Sequence, residues 1–154
     1  MPLHYSVHAS RLAPHVGMAR AKQAQVFFDV SPNQSDDLLN PAELLLSSLA
    51  ACMLKNVERL SPVLRFSYTE VAVDIEGTRE DRPPRMTSIT YTLHLWTDEP
   101  PARVDLLHRN LQQHGTIYNT LAATVPLQGH VEVHATAERE TEHEPVDPNA
   151  GPTA

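Results

Sequence analysis

The residue best equipped for chemistry is Cys52, the only cysteine in the 154-residue chain. A lone thiol excludes an intrachain disulfide and leaves two uses, packing filler or reagent. As a reagent it must be a thiolate, and a free thiol with a pKa near ~8.5 is mostly protonated at neutral pH. Cys52 lies far from the start of the helix that carries it, so the helix dipole helps little. Burial works against the charged form. A reactive Cys52 therefore needs a cation from another segment.

Nine histidines raise the question of a metal. His4/His8 and His130/His134 are i, i+4 pairs, but both lie in strand-like stretches. Four residues along a strand span roughly 13 Å, too far to share a zinc ion. With no second cysteine and no H-E-x-x-H, no metal and no cofactor are expected. G-x-S-x-G, P-loop and dinucleotide fingerprints are also missing, which leaves hydrolase and nucleotide chemistry without support.

These residues must be held by elements. Asn40–Pro62 reads as one long helix: Asn40 as N-cap, Pro41 at the first position, Glu43 as the capping-box partner, and Ser61 before Pro62 as the stop. From Leu44 to Leu54 nearly every residue is apolar or small, so the helix should be buried on all faces, and it is too short to span a bilayer. Two strands are expected before it, Tyr5–Ala21 (interrupted near Pro14) and Gln25–Val30, then a polar loop, Ser31–Leu39. After it, Val71, Val73 and Ile75 alternate with charged residues, and Ile89, Tyr91, Leu93 and Leu95 alternate with polar ones. These are two strands of a hairpin around a turn at Gly77–Arg85. Pro100–Pro101 opens a second helix with Val104, Leu107 and Leu111 on one face, broken at Gly115. A short helix, Thr116–Ala123, and a last strand, Gly129–Thr136, complete an α+β layout.

Composition narrows the function. A net charge of −7 without a block of Lys or Arg argues against nucleic acid and anionic membranes as partners. One cysteine and an N-terminus without a basic and apolar leader point to a reducing cytoplasm. Residues 1–137 read as a single domain, and 138–154 as an acidic, proline-containing disordered tail.

The run N-P-A-E-L-L-L-S-S-L-A-A-C at 40–52 resembles the signature of the OsmC/Ohr family, the osmotically inducible and organic hydroperoxide resistance proteins. The order of elements over residues 4–136 is similar too. The resemblance implies antiparallel sheets wrapped around a central cysteine-bearing helix in an intertwined homodimer. It also implies a thiol peroxidase, with Cys52 at the position that attacks an organic hydroperoxide. Arg20 falls about where the family's thiolate-holding arginine stands, with Arg11 as fallback; the alternative for Arg20 is a solvated strand arginine. Glu43 is either a helix cap or the carboxylate that orients the arginine. Nine residues separate it from Cys52, about 180° around a helix. The hydroperoxide-resistance branch carries its acidic residue directly after asparagine-proline, where this chain has Ala42.

The departure lies at the second cysteine. The family pattern resembles C-P-x-x-N-T-L, and this chain has G-T-I-Y-N-T-L at 115–121. Gly115 thus stands at the vacant resolving position, unless it is only a helix-ending glycine. His114 beside it either lines the site or sits exposed at a helix end. A sulfenic acid on Cys52 would need an external thiol reductant. The leading expectation is a one-cysteine peroxidase. The alternative is a non-enzymatic stress or hydrophobic-ligand-binding protein that has lost the redox cycle.

Overall fold

The computed structural model describes residues 1–136; the expected disordered tail lies outside the described residues. The expected single domain contains two compact units, Met1–Ala51 and the chain from Cys52 onward.

The N-terminal unit is built on a three-stranded antiparallel meander, β1 (His8–Ala13), β2 (Val16–Ala21) and β3 (Ala24–Asp29). The expected first strand is in fact two. Pro14 presets a turn, and His15 completes it with φ 74°. Lys22, at φ 56°, makes the next turn. Both are non-glycine residues in the left-handed region, which periodicity does not report. Beyond β3, the Asp29 carboxylate accepts the Ser31 N–H at 2.7 Å, and bonding from Ser31 holds this carboxyl below its ordinary value.

Helix α1 (Pro41–Leu64) starts as its sequence dictates. Asn40 Oδ1 accepts the Glu43 N–H at 2.9 Å, and Glu43 Oε1 accepts the Asn40 N–H at 2.9 Å. The end differs from expectation. Pro62 lies inside the last turn, because its missing N–H costs one bond where the helix is about to end. The stop falls at Arg65, at φ 51°. Phe66 N donates to Ser61 O at 2.8 Å and Arg65 N to Pro62 O at 3.3 Å, a Schellman closure with arginine in place of the usual glycine. Arg103 donates to the terminal carbonyls of Leu64 and Arg65, bringing a cation to the negative end of the helix. The helix is not buried on all faces within one chain. Leu49, Met53, Asn56, Val57, Leu60 and Ser61 form one buried stripe, whereas Leu45 and Val63 are exposed.

From Cys52 onward the unit holds β4 (Glu70–Asp81), β5 (Pro84–Trp96), α2 (Pro101–His114), α3 (Thr116–Ala122) and β6 (Leu127–His134). The hairpin is longer than predicted: β4 runs to Asp81 and the turn shrinks to Arg82–Pro83. Ile89, Tyr91, Leu93 and Leu95 are buried on one face of β5, and Val104, Leu107 and Leu111 face the core from α2, as their spacing requires. The sheet order is β4-β5-β6. The expectation of purely antiparallel sheets fails at β6, which starts at Leu127 rather than Gly129 and pairs parallel to β5 from Ile89↔Leu127 to Trp96↔His134. Two helices lie between the strands, enough chain to return to the starting end of the sheet, as parallel pairing demands. A Cβ on Gly129 would lie 2.4 Å from the Tyr91 ring, so the aromatic ring can cross β6 only over a glycine. Among the described residues no helix is long and apolar enough to cross a membrane.

Candidate functional site

Cys52 lies on α1, partly exposed, with its side chain in a line of three residues at i, i+4 and i+7. Asn56 Nδ2 donates to Cys52 Sγ at 3.5 Å. Asn56 is buried, and its Oδ1 accepts two bonds from Arg59, Nε at 3.1 Å and Nη2 at 2.8 Å. The guanidinium, having donors only, fixes which end of the amide is oxygen. The NH₂ end is therefore turned toward the sulfur. Arg59, Asn56 and Cys52 form a chain of hydrogen bonds along one face of the helix, one turn per step. The sequence reading missed Asn56 and Arg59. Their helical spacing from Cys52 was the available signal.

The second feature at the thiol is the α2–α3 junction. A Cβ on Gly115 would lie 3.5 Å from Cys52 Sγ. Gly115 thus lies beside the cysteine in space. Gly115 is buried at φ −82°, so it is not the left-handed cap that a helix-ending glycine suggests. The local reason for glycine is room: the same Cβ would meet Leu111 O at 2.9 Å and Tyr118 Cβ at 3.0 Å. Asn119 of the N-T-L run ties the junction together, donating to Gln113 O at 3.1 Å, while Leu121 is buried. His114 is exposed in the last turn of α2.

Next to this junction runs a polar chain between α2 and β5. Tyr91 Oη lies 2.6 Å from His108 Nε2, and Gln112 Nε2 donates to Tyr91 Oη at 3.1 Å. Burial pushes the Tyr91 phenol up to about 12 and pulls His108 below its ordinary value. Both shifts favour the neutral forms, so the phenol O–H donates and the imidazole nitrogen accepts. Tyr118 from α3 meets the Tyr91 ring edge-on at 6.3 Å.

The other expected residues belong to the N-terminal unit. Arg20 is exposed on β2, opposite His8 on β1 and Gln25 on β3. Arg11 is exposed on β1, opposite Gly17. Glu43 is engaged in the helix cap described above, and its hydrogen bond serves Asn40. The residue set brought together at the thiol is thus Cys52, Asn56, Arg59 and the backbone of Gly115.

No curated protein sequence matches the chain. Solved structures do. An OsmC-like protein from Mycoplasma pneumoniae is similar with a TM-score of 0.79 at 19% identity, covering 86% of this chain and 99% of that one. An organic hydroperoxide resistance protein OsmC from Legionella pneumophila gives 0.69 at 16% identity, over 86% and 100%. The organic hydroperoxide resistance protein OhrB of Bacillus subtilis gives 0.61 at 15% identity, over 84% and 98%. At such identities the likeness is one of fold. The family model of OsmC-like proteins matches residues 34–130, the stretch that holds the capped helix, the thiol, the hairpin and the glycine junction. The chain belongs to the OsmC-like protein family.

Proposed function

We propose that the chain reduces organic hydroperoxides through Cys52 alone, as an intertwined homodimer in a reducing cytoplasm. The observation that carries the reading is the setting of Cys52 Sγ: partly exposed, given an N–H by Asn56, and set against the α2–α3 junction where Gly115 leaves space. The hydroperoxide resistance proteins among the fold relatives support the substrate class.

In the first step the thiolate attacks the outer peroxide oxygen. The S–O bond forms as the O–O bond breaks, and the alkoxide leaves and takes a proton to become the alcohol. Cys52 becomes a sulfenic acid. Gly115 offers no resolving thiol, so an external low-molecular-weight thiol attacks the sulfenic sulfur, forming a mixed disulfide and releasing water. A second such thiol displaces Cys52 and leaves as the oxidised disulfide.

Asn56 and Arg59 serve the thiolate from its own helix, and Arg20 supplies the direct cation. Glu43 acts through the cap, setting where the cysteine-bearing helix begins.

Hydroperoxide consumption with monothiol and dithiol reductants tests the reading. Cys52→Ser should abolish it. Asn56→Leu should slow it about tenfold or more, since a bond to a charged acceptor is worth ~1.5–3 kcal/mol. Arg20→Met should slow it as well, and a wild-type rate there would move attention to Arg11. Full activity in Cys52→Ser would end the enzyme reading. Gly115 favours one other reading, a non-enzymatic binder of hydrophobic ligands. A folded wild-type protein inert with every thiol would establish that alternative over the peroxidase.

A further inference from the structure

We propose that the polar face of the β4–β5–β6 sheet carries a metal site, His94, Glu132 and His134, for a divalent transition ion of the zinc, nickel or copper type. The site is independent of the peroxidase reading. Parallel pairing of β6 creates it. His94 stands opposite Glu132 across the β5–β6 ladder, and Trp96 opposite His134. Leu93 and Leu95 alternate to the buried face, so the even-numbered residues share the other one. Reading along one strand, His130 and His134 are too far apart for a shared ion. The cluster forms across strands instead, where neighbours are about 5 Å apart.

The distances suit coordination. One ligand atom from each residue lies within 4.8 Å of the other two. His94 Nδ1 is 3.0 Å from His134 Nε2 and 3.4 Å from Glu132 Oε2. Tetrahedral ligands at bonds of ~2.0–2.1 Å stand about 3.3–3.4 Å apart. Two edges of the site are thus near their final length, and the half-exposed Glu132 can adjust the third.

The surrounding groups orient the donors. Asp74 Oδ2 lies 2.9 Å from His94 Nε2. The carboxylate accepts the Nε2–H hydrogen bond and so leaves Nδ1 with a bare lone pair toward His134 and Glu132, the carboxylate–histidine arrangement of metal centres. His130 Nε2 reaches the second oxygen of Glu132 at 3.4 Å. Across the 3.0 Å contact one ring nitrogen donates to the other, and a cation seated between the rings would take a lone pair from each. Two imidazoles and a carboxylate suit zinc, nickel and copper, and disfavour magnesium and calcium, which prefer all-oxygen sets.

The only tryptophan supplies the readout. Trp96 stacks on His134 with centroids 4.6 Å apart. The full chain carrying Cys52→Ser, which removes the competing thiol, should be titrated with copper(II) and nickel(II) by fluorescence and with zinc(II) by calorimetry. One equivalent per chain should bind, with copper and nickel quenching Trp96. His94→Gln and His134→Gln should abolish saturable quenching. Glu132→Gln should weaken it about tenfold or more, and Asp74→Asn about 10–100-fold. Glu132 and Asp74 are exposed enough for those variants to fold, which a melting curve checks. The His4→Gln/His8→Gln double variant should bind as before. Absence of stoichiometric binding, or unchanged affinity in folded Glu132→Gln and Asp74→Asn, overturns the site.

Discussion

The two units of the chain differ in what they bury. From Met53 onward the molecule has a core of its own, with Leu93, Leu95 and Leu107 fully enclosed. In the unit Met1–Ala51 the one buried hydrophobic residue is Leu49, while Leu12, Val26 and Phe27 on the strands stand exposed. A three-stranded sheet needs a covered apolar face to be stable. The contrast teaches that the N-terminal sheet has no core of its own. A second copy of the chain, exchanging these strands, is the proposed cover.

The largest expected effects test this contrast directly. Leu107 is 0% exposed, and Leu107→Ala should cost about 2–5 kcal/mol, because the cavity has no other atoms to fill it. Phe27 is 44% exposed in the single chain, where Phe27→Ala would cost under ~0.5 kcal/mol. Covered by a partner it should cost ~1–3 kcal/mol, and the unfolding midpoint should rise with protein concentration. Thermal unfolding at several concentrations decides between them. A silent Phe27→Ala with a fixed midpoint would mean that the sheet has no partner copy.

A smaller effect sharpens the picture of the self-sufficient unit. Gly115→Cys meets no backbone strain at φ −82°, but its Cβ presses on Leu111 O, an overpacking of about 1–3 kcal/mol. Its thiol would still point at Cys52 from a Cβ 3.5 Å away. One equivalent of an alkyl hydroperoxide should therefore give an intrachain disulfide, seen by mass spectrometry and reversed by a dithiol. If Cys52 instead runs on to the sulfinic acid beside a free introduced thiol, Gly115 is not the resolving position.

The smallest effect concerns pH. His108 is held below its ordinary value of 6.5 mainly by burial, so below that pH the unfolded chain binds more protons than the folded one. Its contribution to stability is therefore present above pH ~6.5 and is lost as pH falls toward the lowered folded value. Denaturation midpoints of wild type and His108→Gln, compared from pH 7.5 to 5, should diverge at neutral pH and converge on acidification. Parallel curves would mean that His108 is not held neutral by the core.

Much of the fold was legible in local signals. Asn40, Pro41 and Glu43 announce the helix start because capping uses side chains adjacent in sequence. Val104, Leu107 and Leu111 announce the buried face of α2 by period alone. The family motif singled out Gly115, which no periodicity could do, and the structure has that residue beside Cys52. The stop of α1 was misread at Pro62 because a proline breaks a helix only where more helix would follow. The interruption expected near Pro14 falls at Pro14–His15, but the left-handed histidine that makes it leaves no pattern in the sequence.

The sequence by itself determined what depends on neighbours along the chain: the capped helix, the alternating strands, the identity of the single thiol and the glycine at residue 115. Tertiary structure alone decided what depends on neighbours in space. The parallel seat of β6 brings His134 to His94. The approach of α2–α3 to α1 sets Gly115 against the sulfur. The orientation of Asn56 between Arg59 and Cys52 had a sequence spacing but acquired a direction only once burial left its amide those two partners. Periodicity encodes which face of an element is apolar. It does not encode which element will come to cover that face, because that choice is made by packing among all of them at once.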